Sequence, residues 1–202
     1  LSFTGFPVVN MMSTYSAFNA ITCSAAAGTA LATGTRTSNG TIGKDAIHSK
    51  DVYSIAVKAK EKGLSVGITT SVSIDHATPA VFYAHQSSRS MYYEIAMDAV
   101  KAGSGFLQTR AMTDSTAPDV YCSFEDAGYT IARGYDDFNR KREKATKMVF
   151  VQETGASPFS LPYAIDRKPG DLTLSEITRG AIDYLFQKSN LGFFLMVEGG
   201  KI

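Results

Sequence analysis

Residues 20–43 consist almost entirely of Ala, Gly, Ser and Thr, and this stretch constrains the fold more than any other part of the chain. Its centre, A-A-A-G-T-A-L-A, favours a helix, and Thr22 or Ser24 is placed to cap the start of that helix. A helix with so little side-chain bulk can pack very close to a sheet, with Gly28 removing the last Cβ. Ser24 would then lie on the first turn, where free N–H groups and the helix dipole attract an anion.

A hydroxyl beside such an anion-binding site is one way to build a nucleophile for phosphoryl transfer. The same residues also fit a tightly packed Ala-rich helix with an ordinary cap, and composition alone favours this simpler interpretation. A serine hydroxyl needs a base or a metal for activation. No G-x-S-x-G elbow surrounds Ser24 and no histidine is its neighbour in sequence, so nothing points to an acyl-transfer triad.

The composition is that of a globular chain and excludes several classes of function. With 202 residues, 44% hydrophobic and 19% charged, residues 1–202 are most simply one domain with a core of its own. A formal net charge of +1 provides no basic field for nucleic acid. The longest apolar runs are too short to span a membrane, and no signal peptide is recognisable. Cys23 and Cys122 are too few for a disulfide scaffold or a zinc cluster, and whether they pair is open.

Helix and strand signals alternate along the chain. This predicts an α/β fold of three layers (αβα), with helices on both faces of a largely parallel sheet. Strands are predicted at 64–70, 129–132, 148–152 and 192–197, and helices at 49–62, 79–86, 90–102, 136–145 and after a capping box at Thr173 and Glu176. Residues 103–121 and 153–171 are predicted to be irregular loops or insertions. The ligand crevice of such a fold lies at the carboxyl ends of the strands, where residues 70–78 and Glu198 fall.

The residue order in 21–29, I-T-C-S-A-A-A-G-T, resembles the nucleophile segment of alkaline phosphatases. In that family an aliphatic residue, a spacer, Asp, the nucleophilic Ser and a small-residue run ending in Gly-Thr follow one another. The Ala-Thr-Gly, Arg-Thr and Asn-Gly that come next also match. Cys23 departs from the pattern, because most members carry Asp there. The resemblance implies that Ser24 is the nucleophile and a zinc ligand, and that Cys23 modulates the site.

A second match covers residues 67–89, in the D-H-A-T-P turn and in the Ala-His and Ser-Arg pairs that follow it. The resemblance makes Thr78 a magnesium ligand, places His76 near magnesium through water, and makes Arg89 the residue that grips two phosphate oxygens. A guanidinium fork suits that task better than Lys. Each residue also has a plain interpretation: Thr78 as a helix cap, His76 as a hydrogen-bonded loop residue, Arg89 as a solvated side chain. Because these residues occur in the same order as in the family, a role in the site is favoured for Thr78 and Arg89. For His76 the role in the site and the plain interpretation are equally supported.

The third match is residues 192–202, G-F-F-L-M-V-E-G-G-K-I, similar to the strand that ends in the family's magnesium-binding glutamate. Glu198 would be that ligand, and a carboxylate suits this hard cation. The alternative is a strand-terminal Glu beside a Gly turn. The three matches run in family order, with a weakly matching middle at 105–171.

Together the matches imply a phosphomonoester hydrolase with two zinc ions and one magnesium ion. Ser24 would attack in line to give a phosphoserine, zinc-activated water would hydrolyse it, and Arg89 would hold the phosphoryl oxygens. The other zinc ligands of the family would fall outside 1–202. We therefore expect an incomplete domain that binds no zinc by itself. The implied substrate is a small phosphomonoester, the implied location is the periplasm or the cell exterior, and a homodimer is a possible assembly.

Two other functions stay open. One is a non-catalytic relative that binds phosphates or esters. It would have kept the anion-binding part of the site and lost the metal ions. The other is a phosphodiesterase of the same superfamily, which uses a Thr or Ser nucleophile beside two metals. Metal content distinguishes the first, and trials with mono- and diesters distinguish the second.

Overall fold

The computed structural model describes residues 5–8, 12–108, 119–152 and 160–201. Within these ranges the strands are β1 (Ser65–Thr70), β2 (Phe106–Gln108), β3 (Tyr129–Arg133), β4 (Lys147–Val151) and β5 (Phe193–Glu198). The helices are α1 (Ser24–Thr33), α2 (Ile55–Glu61), α3 (Ala77–Ala80), α4 (Tyr92–Ala102), α5 (Val120–Asp126), α6 (Gly134–Lys141) and α7 (Leu174–Lys188). The strands pair in parallel in the order β3-β4-β2-β1-β5, which confirms the predicted parallel sheet.

The side chains of β4 show how both faces of the sheet are covered. Val149 and Val151 are buried in an apolar cluster with residues of α1 to α5. Met148 and Phe150 are buried in a second cluster with residues of α6 and α7. Because successive residues of a strand point to opposite faces, the two clusters lie on opposite sides of the sheet. The predicted three-layer arrangement is therefore confirmed.

Residues 103–121 correct a prediction, because they contain the central strand of the sheet. β2 pairs with β1 on one side and with β4 on the other. A strand of three residues is too short to produce a periodic signal, which is why the segment was predicted as irregular. Residues 109–118 and 153–159 of the two predicted loops lie outside the described residues. The rest of the second loop, 160–171, is irregular apart from a 3₁₀ turn at Ala164–Asp166. Ser160 also forms an isolated antiparallel β-bridge with Val72, in the segment that follows β1.

The predicted start of α7 is confirmed, whereas that of α2 is wrong. The capping box of Thr173 and Glu176 opens α7, with both of its hydrogen bonds formed. α2 begins at Ile55 and not near Ser49, because Ser54 is the cap that accepts the Val57 N–H at 3.3 Å. None of the helices in the described ranges combines the length and the apolar character that a bilayer crossing requires.

The Ala-rich helix α1 begins at Ser24 as its first helical residue. Cys23 occupies the N-cap, not Thr22 or Ser24 as predicted. Gly28 does permit a close approach, but its partner is α3 and not the sheet. A Cβ on Gly28 would lie 3.1 Å from Cγ2 of Val81 and 3.8 Å from Cα of Thr78. The helix that carries Ser24 therefore packs directly on the helix that carries Thr78.

Candidate functional site

Three of the candidate residues, His76, Thr78 and Glu198, lie near the carboxyl ends of β1 and β5. Thr70 ends β1 and is the register partner of Glu198, which ends β5. The chain leaves β1 through residues 71–76 and enters α3, which contacts both of these strands as well as α1. The topology thus brings the start of α3 to the edge of the sheet where Glu198 lies, and α1 packs against α3.

Ser24 presents its side chain to solvent from a rigid support. It is exposed, whereas the next two residues, Ala25 and Ala26, are 0% and 2% exposed and anchor the helix in the core. α1 is ten residues long and has no acidic residue in its first turn. The hydroxyl therefore lies at a helix N-terminus whose N–H groups and dipole favour an anion.

Arg89 is tied to the start of α1 through Gly40. The Arg89 N–H donates to the Gly40 carbonyl oxygen at 2.6 Å, and the Gly40 N–H donates to the Cys23 Sγ at 3.1 Å. Gly40 has a φ of 85°, a conformation that favours glycine. Asn39 strengthens this link: it accepts the Cys23 N–H at 3.2 Å and donates to the Ile21 carbonyl at 3.0 Å. The backbone of residue 89 is thereby held close to the helix start, and the half-buried Arg89 side chain is near enough for its charge to act on Cys23.

The pKa of Cys23 shows that this corner of the molecule favours negative charge. Burial opposes ionisation of the thiol, but the N–H groups of Ala26, Gly40 and Ala25 and the positive charge of Arg89 outweigh burial. The pKa of Cys23 therefore lies below its ordinary value. Cys23 and Cys122 are both free thiols.

Glu198 is held at the end of β5 by a residue that the sequence did not single out. The Thr70 Oγ1 donates to the Glu198 Oε2 at 2.6 Å and accepts the Val72 N–H at 3.1 Å. Thr70 is fully buried and Glu198 is half-buried. The only sequence signal for Thr70 is a hydroxyl residue at the carboxyl end of a buried strand.

Thr78 and His76 lie at the start of α3, which begins at Ala77 and not at residue 79 as predicted. His76 is the N-cap and Thr78 the second helical residue, so the helix-cap alternative for Thr78 is wrong. The Nδ1 of His76 is buried and has no hydrogen-bond partner among the described residues. His76 also lines a cavity of about 390 Å³, together with Ser73 and Lys201. A buried ring nitrogen without a partner among the described residues is compatible with the water-mediated role that the resemblance implies.

These side chains fit magnesium better than zinc. The Glu198 carboxylate and the Thr78 hydroxyl are hard oxygen ligands, and magnesium needs few protein ligands because it keeps several waters. A catalytic zinc usually takes three ligands from His, Asp, Glu or Cys. In the described part of the chain, no group of three or more such side chains is placed to hold a metal ion. The described residues, Ser24 included, do not form a zinc site.

Comparison with known proteins agrees with the resemblance. Residues 1–120 and 139–202 match the family model described as Alkaline phosphatase. The chain is 35% identical over 190 residues to Alkaline phosphatase 4 of Bacillus subtilis, covering 90% of this chain and 40% of that protein. It is 28% identical over 246 residues to the alkaline phosphatase of Gadus morhua, covering 98% of this chain and 51% of that one. The chain thus spans about half the length of these relatives.

Solved structures show the same fold. The alkaline phosphatase from the Antarctic bacterium TAB5 superposes with a TM-score of 0.85 at 30% identity, covering 98% of this chain and 57% of that chain. A variant of that enzyme with magnesium bound in its M3 site superposes with a TM-score of 0.85 at 29% identity, covering 98% and 56%. Because the family model matches most of the sequence, the chain belongs to the alkaline phosphatase family.

Proposed function

We propose that this chain is the nucleophile-bearing part of a metal-dependent phosphomonoester hydrolase that works through a phosphoserine on Ser24. Family membership supports a phosphatase. The observation that carries the residue assignment is the link from the start of α1 through Gly40 to Arg89. This link brings the backbone of residue 89 to the helix start that carries the exposed Ser24 hydroxyl, where the positive charge of Arg89 also acts on Cys23. A nucleophilic hydroxyl with a guanidinium nearby supports attack on a phosphate ester.

In the proposed reaction, the Ser24 Oγ attacks phosphorus in line. An oxygen–phosphorus bond forms as the bond to the leaving alcohol breaks, and the serine proton passes through solvent to the departing alkoxide. Arg89 donates from its planar fork to two non-bridging oxygens, while the N-terminus of α1 adds positive potential. Water then cleaves the phosphoserine, which releases inorganic phosphate and restores Ser24.

The Thr78 hydroxyl and the Glu198 carboxylate would hold magnesium, with His76 reaching it through water. When bound, the ion would supply positive charge to the site. The two zinc ions of the family resemblance do not fit the described residues, and the residue steps above are independent of them.

The proposed substrate is a small phosphomonoester, and the proposed location is the periplasm or the cell exterior, with a homodimer as the assembly. The net charge of +1 provides no long-range field for an anion. Recognition of the ester therefore depends on local groups, above all on Arg89 and the start of α1.

Substrate trials with the natural protein test the proposed function. With zinc and magnesium present, we expect p-nitrophenyl phosphate to be hydrolysed and bis(p-nitrophenyl) phosphate to be a poor substrate. Preferential hydrolysis of the diester would favour the phosphodiesterase alternative. Binding of inorganic phosphate without turnover of either ester, and without bound metal by elemental analysis, would favour the non-catalytic alternative.

The thiol of Cys23 gives a prediction about Arg89. A carboxylate in its place would form charge-assisted hydrogen bonds with the guanidinium, each worth about 1.5–3 kcal/mol, and would restrain the fork. Cys23→Asp is therefore expected to tighten phosphate binding several-fold and to slow phosphate release. The inhibition constant of phosphate measures this, with Cys23→Ser as the uncharged control. Equal constants for the wild-type and Cys23→Asp proteins would show that Arg89 is not coupled to this position.

For the isolated polypeptide 1–202 we expect no stoichiometric zinc and no turnover of phosphomonoesters, because three zinc ligands do not come together in its described part. We also expect aggregation. β5 is an edge strand, and Val197 on it is 44% exposed beside Ile182, which is 42% exposed. Elemental analysis, a phosphomonoester assay and size-exclusion chromatography check these expectations. Two tightly bound zinc ions, or turnover that Ser24→Ala removes, would contradict them.

A further inference from the structure

Thr70 joins the ends of β1 and β5 through both its backbone and its side chain. It is the parallel register partner of Glu198, and its Oγ1 donates to the Glu198 Oε2 at 2.6 Å. The side chain of Thr70 is fully buried. The donor therefore lies in the interior, whereas the acceptor Glu198 is half-buried.

The direction of this hydrogen bond is fixed by a third group. The Val72 N–H donates to the Thr70 Oγ1 at 3.1 Å and occupies one of its lone pairs. An ionised carboxylate can only accept, so the hydroxyl proton points at Glu198. The β-branched side chain of Thr70 has few χ1 rotamers, so the donor stays in place.

The turn after β5 confines the same carboxylate from the other side. The N–H groups of Gly200 and Lys201 donate to the Ser71 Oγ at 2.9 and 3.2 Å, and the Ser71 N–H donates to the Glu198 carbonyl at 3.0 Å. A Cβ on Gly200 would lie 3.0 Å from the Glu198 Cδ and 3.1 Å from its Oε2. The Glu198 carboxylate therefore lies in a narrow space between Thr70 and the backbone of Gly200.

We propose that Thr70 is a positioning residue that orients the Glu198 carboxylate for magnesium, an inference that rests on the proposed function. Magnesium demands near-octahedral geometry, so a carboxylate in the wrong rotamer binds it weakly. A carboxylate that is already ordered loses less conformational freedom on binding. Groups that orient a metal ligand typically change metal affinity by roughly tenfold to hundredfold.

Magnesium titration of the natural protein by calorimetry tests the role of Thr70. Thr70→Val keeps the shape and removes the hydroxyl, and we expect it to raise the Kd for magnesium by roughly tenfold to hundredfold. Thr70→Ser, which keeps the donor, should stay close to the wild-type Kd. Thr69→Val is the matched control, because the Thr69 hydroxyl is equally buried but donates to the Met196 carbonyl at 3.3 Å. Urea unfolding in EDTA measures stability separately for each variant.

The outcomes separate this inference from the proposed function. If Glu198→Gln weakens magnesium binding and folded Thr70→Val does not, Thr70 is not a positioning residue and the proposed function stands. If Glu198→Gln leaves the Kd unchanged, the magnesium site itself is wrong. Should Thr70→Val fail to fold, Gly200→Ala crowds the same carboxylate, with its Cβ 2.9 Å from the Val72 Cγ2 and 3.0 Å from the Glu198 Cδ. Weaker magnesium binding in that variant is expected, and an unchanged Kd would overturn the claim that the carboxylate must be oriented.

Discussion

Replacing Ser24 by Ala in the natural protein is expected to lower turnover of phosphomonoesters by roughly 10³-fold or more, the scale seen when a covalent nucleophile is removed. The expectation rests on the exposed position of Ser24 on the first turn of α1, beside a corner that stabilises negative charge. Inhibition by phosphate should persist, because Arg89 and the positive end of the α1 dipole remain. Steady-state kinetics and phosphate inhibition, measured on the same preparation, check both statements.

Thr22→Ala is the matched control for this substitution. It also removes a hydroxyl near the start of α1, but the Thr22 Oγ1 donates to the Cys23 carbonyl at 3.3 Å and is not on the helix. Turnover close to wild type is expected for the control. If Ser24→Ala kept most of the activity, another residue would have to be the nucleophile.

Arg89→Lys is expected to weaken turnover and phosphate inhibition together, each by about tenfold to hundredfold. Lys keeps the positive charge but loses the bidentate fork, and a hydrogen bond to a charged group is worth about 1.5–3 kcal/mol. The backbone link from residue 89 to Gly40 does not depend on the side chain, so the fold should be retained. Inhibition constants and kcat/KM measure the effect.

Arg140→Lys is the control for that substitution, since Arg140 lies on α6 with its guanidinium paired to Asp137 at 3.1 Å. It should behave as wild type. Unchanged phosphate inhibition in Arg89→Lys would mean that Arg89 is a solvated side chain and not part of the site.

The limits of sequence reasoning are clearest in β2. A long strand with apolar alternation, or a helix with a capping box such as α7, has a local pattern that identifies it. β2 has three residues, and it is a strand because β1 and β4 pair with it on both sides. That cause is non-local, so the sequence of 103–121 does not display it.

The contrast between local sequence patterns and non-local contacts also separates the site residues that the sequence indicated from those that it missed. Ser24, Thr78, Arg89 and Glu198 lie in contiguous segments whose residue order resembles a family. Thr70 matters through a hydrogen bond to a residue 128 positions away. The role of Gly40 depends on two backbone contacts that no motif describes. Such contacts emerge only once the sheet register and the packing of α1 on α3 are known.

The central claim is that Ser24 carries the phosphoryl group during turnover. Its most direct test is mass spectrometry of the natural protein, quenched in acid while it turns over a phosphomonoester, with Ser24→Ala treated in the same way. We expect the phosphate on the peptide that contains Ser24, at Ser24 itself, and no phosphorylated peptide in the variant. Phosphate found on another residue, or on the same peptide in Ser24→Ala, would contradict the assignment.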